Sequence, residues 1–529
     1  MFGGGKTITL NAGTLNVLES YPFHSDIENF GTLNLPGGAN TIHIQNDGTE
    51  YYQGLGINAA LNRVGPATLN LTSNRIYSFK NAFVYFLHPE DPSVSLTGGI
   101  VFWWTINGEE WATYSLGEAG DVYFEGRRVA HEYSFTSADA GPETTWNAGL
   151  NVTLNTNQTL TANRTINSLR LPSATSVLNL GSNALEITSG GLLATIGNSR
   201  IRGSSTLTTG SNRTLYVHTY GETLTLEDEV KLVITNLIKT GPGTLVLDSD
   251  ATHELQAATG YNGGLWINQG IIRLLKGMLR VAAEIIVGDG AGEDAFELGD
   301  NLINPIQAQG GGLASITLHG NRYGPSTDAA ILRLGTSTRQ QLATLHIQDR
   351  GLLDFSTGST KAAPNILYLD QLTLNDANAR LTVRNWSHQA AYLLVKKTWG
   401  DTNVPPNLAK IHFEGYGDLT WHWHDLGSPY GDYWQILPLS EIPEPATYGA
   451  ILGAAGLGLW LWRRRRRVAS AIHARATKGS TQDAARVANR SAAFLGELGE
   501  DFSCKVGHLP CHEPQAHLCR RSFFLRLRL

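Results

Sequence analysis

The side chains able to do chemistry sit in three short stretches. The densest acids are Asp289, Glu293, Asp294, Glu297 and Asp300, within VGDGAGEDAFELGD. Paired carboxylates at such spacing can act as general acid and base on a glycosidic bond, or supply oxygen ligands to calcium. The run Trp421-His422-Trp423-His424-Asp425 alternates two chemistries. On a strand, His422 and His424 share one face, where two imidazoles can ligate zinc, and the tryptophans share the other. Trp103, Trp104 and Trp111 could form a platform on which a sugar ring stacks.

Each stretch has a plainer reading. Acids in a Gly-rich run are usually solvated turn residues. Gly288, Gly290, Gly292 and Asp294 stand nearly in phase with one calcium-binding nonapeptide, but such sites are built from tandem copies and one copy is present. Histidines on an alternating strand are usually solvated while the tryptophans pack, and clustered tryptophans are usually core. Cys504, Cys511 and Cys519, with His508, His512 and His517, fit no zinc-finger spacing. There is no G-x-S-x-G, H-E-x-x-H or P-loop pattern. The expectation is a chain with no catalytic residues, no metal and no cofactor. A polysaccharide-active enzyme and a glycan-binding surface module are the alternatives.

What would hold these stretches in place is β-structure. The 529 residues include 58 glycines, only two methionines and 16% charged residues, a turn-rich and weakly charged composition unlike a helical enzyme. From about residue 150, strands of three to five residues recur between Gly, Asn and Ser, as in Leu169-Arg170-Leu171, Leu178-Asn179-Leu180 and Leu185-Glu186-Ile187. Strands so short make no stable isolated hairpins, but stacked in a coil each pairs with its equivalents above and below. Leu and Ile then line a core while Thr and Asn face out. Farther on, strand candidates recur every twelve to twenty residues, which we take as one rung. The fold expected is all-β, a right-handed parallel β-helix over 151–440, its last rung shielded by an aromatic segment at Gly427–Leu437. Residues 1–150 are expected as an irregular β-rich region or cap. Within it, Ile100–Trp104 reads as a strand and Asn107-Gly108 as its hairpin turn.

The stretch Leu237–Leu274 carries a more specific pattern. Lys239, Thr240, Gly241, Gly243, Thr244, Leu245 and Leu247 are followed by Tyr261, Gly263, Gly264, Gly270 and Leu274. This resembles the autotransporter-associated β-strand repeat, with Ile272 where that family often has Leu. The glycines would make two tight corners, and Leu245 and Leu247 would point the same way on one strand.

Charge divides the chain at its C-terminal end. From Arg463 onward there are fourteen Lys and Arg against five Asp and Glu (+9); before it, 26 against 41 (−15). The acidic body has no cysteine and would repel nucleic acid, so no nucleic-acid partner is expected. The division follows Pro443-Glu444-Pro445, then the uncharged run 446–462, then Arg463, Arg464, Arg465, Arg466 and Arg467. As a helix the apolar run spans roughly 25 Å, at the short end for crossing a bilayer. Trp460 and Trp462 sit where an interfacial belt belongs, and the arginines mark the cytoplasmic side. The order of triplet, helix and basic cluster resembles the PEP-CTERM sorting signal of Gram-negative surface proteins.

That resemblance implies processing by an exosortase, with Pro443, Glu444 and Pro445 as its substrate. The implied sequence of places is a membrane anchor through 446–462, then the cell surface or extracellular matrix. Extracellular polysaccharide is the partner expected there. Met1–Gly13 has no basic region followed by an apolar one, so the true start is expected upstream. The basic tail 468–529 is expected to be disordered or a reading-frame artefact. The function expected is non-enzymatic, that of a β-helical stalk or adhesin.

Overall fold

A computed structural model of the chain describes residues 6–438, except 18–25, 46–52, 74–81, 87–95, 117–127, 211–213, 259–262, 323–327, 375, 398–407, 417–420 and 426–431. Nearly all of the ordered structure is strand. Helix among the described residues is limited to two 3-10 turns, Glu143–Thr145 and Leu408–Lys410. Residues 1–442 form one compact unit, built as a solenoid with a lobe laid along its side.

Each coil of the solenoid has three strands where it is most regular, for example Thr223–Asp228, Lys231–Ile234 and Asn236–Thr240, before the next coil begins at Thr244. One face is an eleven-stranded stack running from Gln158–Thr159 to Ile411–Phe413. The other two faces share an eighteen-stranded sheet, and in places one long strand such as Arg339–Gln348 covers both. Pairing between coils is parallel and residue-for-residue. Leu224, Leu245, Ile272, Phe296, Leu332 and Leu353 stand one above another along the axis. Period-two alternation turns these side chains inward, and all are essentially buried. Each contributes about 1.5–3 kcal/mol by leaving water, a gain that depends on the coils above and below. A coil is longer than one strand spacing because it contains three strands. Thr223 pairs with Thr244, 21 residues on, and Asp294 with Ala330, 36 residues on.

Both ends of the core are covered. At the start, the turn at Glu143–Thr145 brings Trp146 onto the first coil, and its Nε1 donates to the Gly141 carbonyl at 3.1 Å. At the end, Tyr433–Pro438 runs antiparallel to Ala391–Lys396 and stops the parallel stack; the first part of the expected closing segment Gly427–Leu437 lies outside the described residues. Trp421–Asp425 pairs antiparallel with the same strand and ends the sheet.

Residues 1–150 depart from an irregular cap. Their strands form a separate ten-stranded sheet made of two parallel stacks. Thr7–Asn11, Asp26–Gly37, Gln53–Arg63 and Ala82–Phe86 make one stack; Thr14–Val17, Ala39–Ile44, Thr68–Ser73 and Val101–Ile106 make the other. The two are joined by antiparallel strands Glu110–Leu116 and Arg128–Glu132. Asn107 and Gly108 turn the first of these hairpins with φ of 52° and 70°, the left-handed pair that a two-residue turn requires. The lobe lies beside the solenoid rather than on its end. Tyr216, Ile238 and Trp266 stand on consecutive coils and face outward, where they pack into the lobe's own core.

Candidate functional site

The seam between lobe and solenoid gathers several buried polar side chains, among them Asn40, Thr68, His218, Lys239 and Thr240. Lys239 is central to it. It occupies a core-facing position, between Val217 on the coil below and Ile267 on the coil above. Its side chain bends to the corner instead and is fully buried. The ammonium donates to the carbonyls of Thr240 at 3.1 Å, Gly241 at 2.7 Å and Gln269 at 2.9 Å. Three donors meet three acceptors, so one charge joins the corners of two consecutive coils. Gly241 has φ of 79°, and a Cβ at Gly243 would lie 2.0 Å from the Gly221 carbonyl oxygen. Only glycine permits that approach. Burial lowers the Lys239 ammonium to about 7, with the Asp294 carboxyl opposing the shift.

The five acids do not form a solvated cluster. Asp294 and Glu297 lie on the strand Asp294–Leu298 and are buried; only Glu293 and Asp300 are exposed. Asp289 Oδ2 accepts the Ala39 N–H of the lobe at 2.7 Å, and its Oδ1 accepts that of Ala291 at 3.0 Å. Asp294 Oδ1 accepts the Gly270 N–H at 2.8 Å, and Asp300 Oδ1 that of Thr336 at 2.5 Å. Glu297 bridges Arg273 Nε, at 2.5 Å, and Arg333. The physical reason is the stacking itself. It leaves corner N–H groups without a ladder partner, and a carboxyl oxygen accepts them. Burial pushes Asp289 up to about 7 and Asp294 well above the ordinary carboxyl range, the neighbouring Asp289 adding to the latter. Asp289, Asp294, Glu297 and Asp300 thus face backbone or arginine, and among the described residues no three His, Cys, Asp or Glu side chains converge to hold a metal ion.

The glutamate bridge belongs to a longer series. Arg273, Glu297, Arg333, Asp354 and Arg384 pair in register on successive coils. Arg333 Nε reaches Asp354 at 3.0 Å, and Arg384 Nε reaches Glu414 at 2.7 Å. Signs alternate along the axis. The face is self-neutralised and offers no single-signed patch to a charged partner.

The tryptophans of the lobe are core. Trp103, Trp104 and Trp111 are at most 3% exposed, so no platform is presented to solvent. Trp111 stands edge-on to His218 of the solenoid at 5.4 Å, and His218 Nε2 lies 3.2 Å from the Phe102 carbonyl. Burial lowers His218 to about 3, so the ring is neutral. The Arg63 guanidinium donates to the Tyr216 hydroxyl at 2.6 Å, and Asn268 to the Pro66 carbonyl at 2.7 Å. Between these contacts the seam opens into a cleft of about 200 Å³, walled by Thr41, Asn70 and Thr68 from the lobe and by Tyr220, Pro242 and Gln269 from the solenoid.

His422 and His424 lie on the closing strand Trp421–Asp425, whose backbone alone is described. Tyr261 of the Lys239–Leu274 pattern falls outside the described residues, as do Pro443, Glu444, Pro445, the run 446–462, Arg463 to Arg467 and the tail with its cysteines. No helix among the described residues is long and apolar enough to cross a membrane. The burial of Lys239 escaped sequence reasoning, although its place in the alternation of Leu237, Ile238 and Lys239 beside two glycine corners was a usable sign. The cleft residues gave no sign, because Thr, Asn and Gln are common throughout the chain.

No curated protein sequence matches this chain. Residues 441–467, directly after the closed end of the solenoid, match the family model of the PEP-CTERM protein-sorting motif.

Proposed function

We propose that this chain is a non-enzymatic surface or matrix protein, a β-solenoid stalk with an adhesive lobe, delivered through its C-terminal signal by an exosortase. The sorting motif at 441–467 carries the reading. Pro443, Glu444 and Pro445 would be the processed triplet, 446–462 the transient bilayer anchor and Arg463 to Arg467 its cytoplasmic flank. The stretch at Lys239–Leu274 is read as one autotransporter-associated repeat. Its Lys and Gly residues serve the corners of the coil, a role that fits a repeat selected for stacking. The buried acids support a non-enzymatic reading, since each is engaged by backbone or arginine. A body without cysteine is held by its continuous core and needs no disulfide outside the cell.

The test is expression from the native locus in host strains with and without the exosortase, followed by intact-mass measurement of cell and medium fractions. The expected product is shortened near Glu444 in the competent strain only, and Glu444→Ala retains the longer form. An identical mass and location in both strains would overturn the reading.

A further inference from the structure

The cleft on the seam is lined without a single charged side chain. Thr41 and Asn70 are register partners on adjacent lobe strands and present their side chains to it. Asn70 Oδ1 is occupied by the Thr105 hydroxyl and the Gly108 N–H, both at 3.1 Å, while its Nδ2 donates to no group among the described residues. The Thr41 hydroxyl and the Gln269 carboxamide are equally free of side-chain hydrogen bonds there. Tyr220 and Pro242 form the less polar wall. The other polar groups are engaged. Asn40 Nδ2 donates to the carbonyls of Gly37, Gly38 and Thr68, and the Thr68 hydroxyl to that of Thr240.

Free neutral donors and acceptors opposite an aromatic and a proline wall select a narrow class of ligand. An anion finds no cation, since the Lys239 ammonium is spent on carbonyls beneath the corner. A cation finds no carboxylate. An apolar ligand would strand the hydroxyl and both amides. A sugar ring offers hydroxyls to the polar side and C–H faces to the other. Away from Tyr220 the floor continues as a neutral pair, Thr41 and the exposed Thr14 in register, along which a chain of sugars could run.

We propose that this cleft binds one neutral pyranose unit of a polysaccharide, with Thr41, Asn70 and Gln269 bonding its hydroxyls. The assignment rests on the reading of the protein as one that works among glycans outside the cell. The test uses the processed protein recovered from its host, with saturation-transfer NMR on the methyl pyranosides of glucose, galactose and mannose, and glucuronate as the charged control. At least one neutral pyranoside is expected to receive saturation at millimolar concentration. The double variant T41V/Q269A, whose residues hold no structural hydrogen bond through their side chains, is expected to weaken that binding about tenfold at unchanged melting temperature. Absence of transfer to all three, equal binding by the variant, or preference for glucuronate would each overturn the site. Product mass and location, read in the same strains, separate the outcomes: correct sorting without sugar binding removes the cleft assignment alone, and sugar binding without sorting removes the delivery route alone.

Discussion

Lys239 donates to the carbonyl of Gln269, one coil above, at 2.9 Å, from a position whose neighbours along the axis are Val217 and Ile267. A charge in an apolar column is costly, and it persists here because all three of its protons reach carbonyls of two consecutive corners. Met at this position would fill the column and remove the charge, yet leave those carbonyls without their donor. Lys239→Met is therefore expected to destabilise the protein by about 2–4 kcal/mol, read as a lower urea midpoint. An unchanged midpoint would show that the corner does not need its ammonium.

How much of this was legible beforehand differs by level. The core was, because Leu245, Leu247, Ile272 and Leu274 follow the alternation that any inward-facing strand must show. The hairpin at Asn107-Gly108 was, because left-handed turn positions favour those residue types. The size of a coil was not. Local spacing reports strands, and only the pairing of Thr223 with Thr244 reveals that three strands complete a turn. The acids at 289–300 misled because their partners are distant in sequence: Ala39 for Asp289, Thr336 for Asp300. The lobe's place along the side was likewise out of reach, since Tyr216, Ile238 and Trp266 read as ordinary strand residues until register aligns them.

Register also exposes the alternating series on the eleven-stranded face. Glu297 is 5% exposed as a side chain and lies between Arg273 and Arg333. Removing it leaves two guanidinium groups facing each other, although both are partly exposed and can turn toward water. Glu297→Ala is expected to cost about 1–3 kcal/mol, and the double variant with Arg333→Met less than the two separate losses added together. Because the carboxylate is buried, most of the loss should survive in molar salt. A loss abolished by salt, or strict additivity, would mean that the series is an ordinary surface pairing.

The buried histidine at the seam gives a pH dependence of definite sign. His218 is lowered by burial to about 3, so the folded state binds fewer protons than the unfolded chain between there and its ordinary value near 6.5. The stability it supports is present above about 6.5 and is lost as pH falls, by at most about 1.4 kcal/mol per unit. His253, lowered to about 4, acts in the same direction. His218→Gln keeps a polar group beside the Phe102 carbonyl and cannot charge. Between pH 7 and pH 5 its stability should fall less than that of the parent, by about 1–2 kcal/mol in urea titrations. Parallel curves for the two proteins would remove His218 from the acid response.

Asp289 should act with the opposite sign. Burial raises it to about 7, so the folded state holds a proton that the unfolded chain has released above about 4. Its contribution is fully present below that lower value and is lost as pH rises through 7. Above 7 the ionised carboxylate faces Asp294 and is relieved by the N–H groups of Ala39, Ala291 and its own residue, the first of them the lobe's. Asp289→Asn retains an oxygen for Ala39 and removes the titration. From pH 5 to pH 8 the variant should gain on the parent by about 2–4 kcal/mol, the gain falling within the interval below 7 and levelling above it. The same substitution should leave hydrogen exchange of the Ala39 amide slow at pH 8, where the parent exchanges faster, because the seam then carries one negative charge fewer. A variant that tracks the parent across this range would mean that Asp289 is ionised in the fold throughout, and that the lobe is held by its apolar contacts with Tyr216, Ile238 and Trp266 and by the other seam hydrogen bonds, without a contribution from the Asp289 proton.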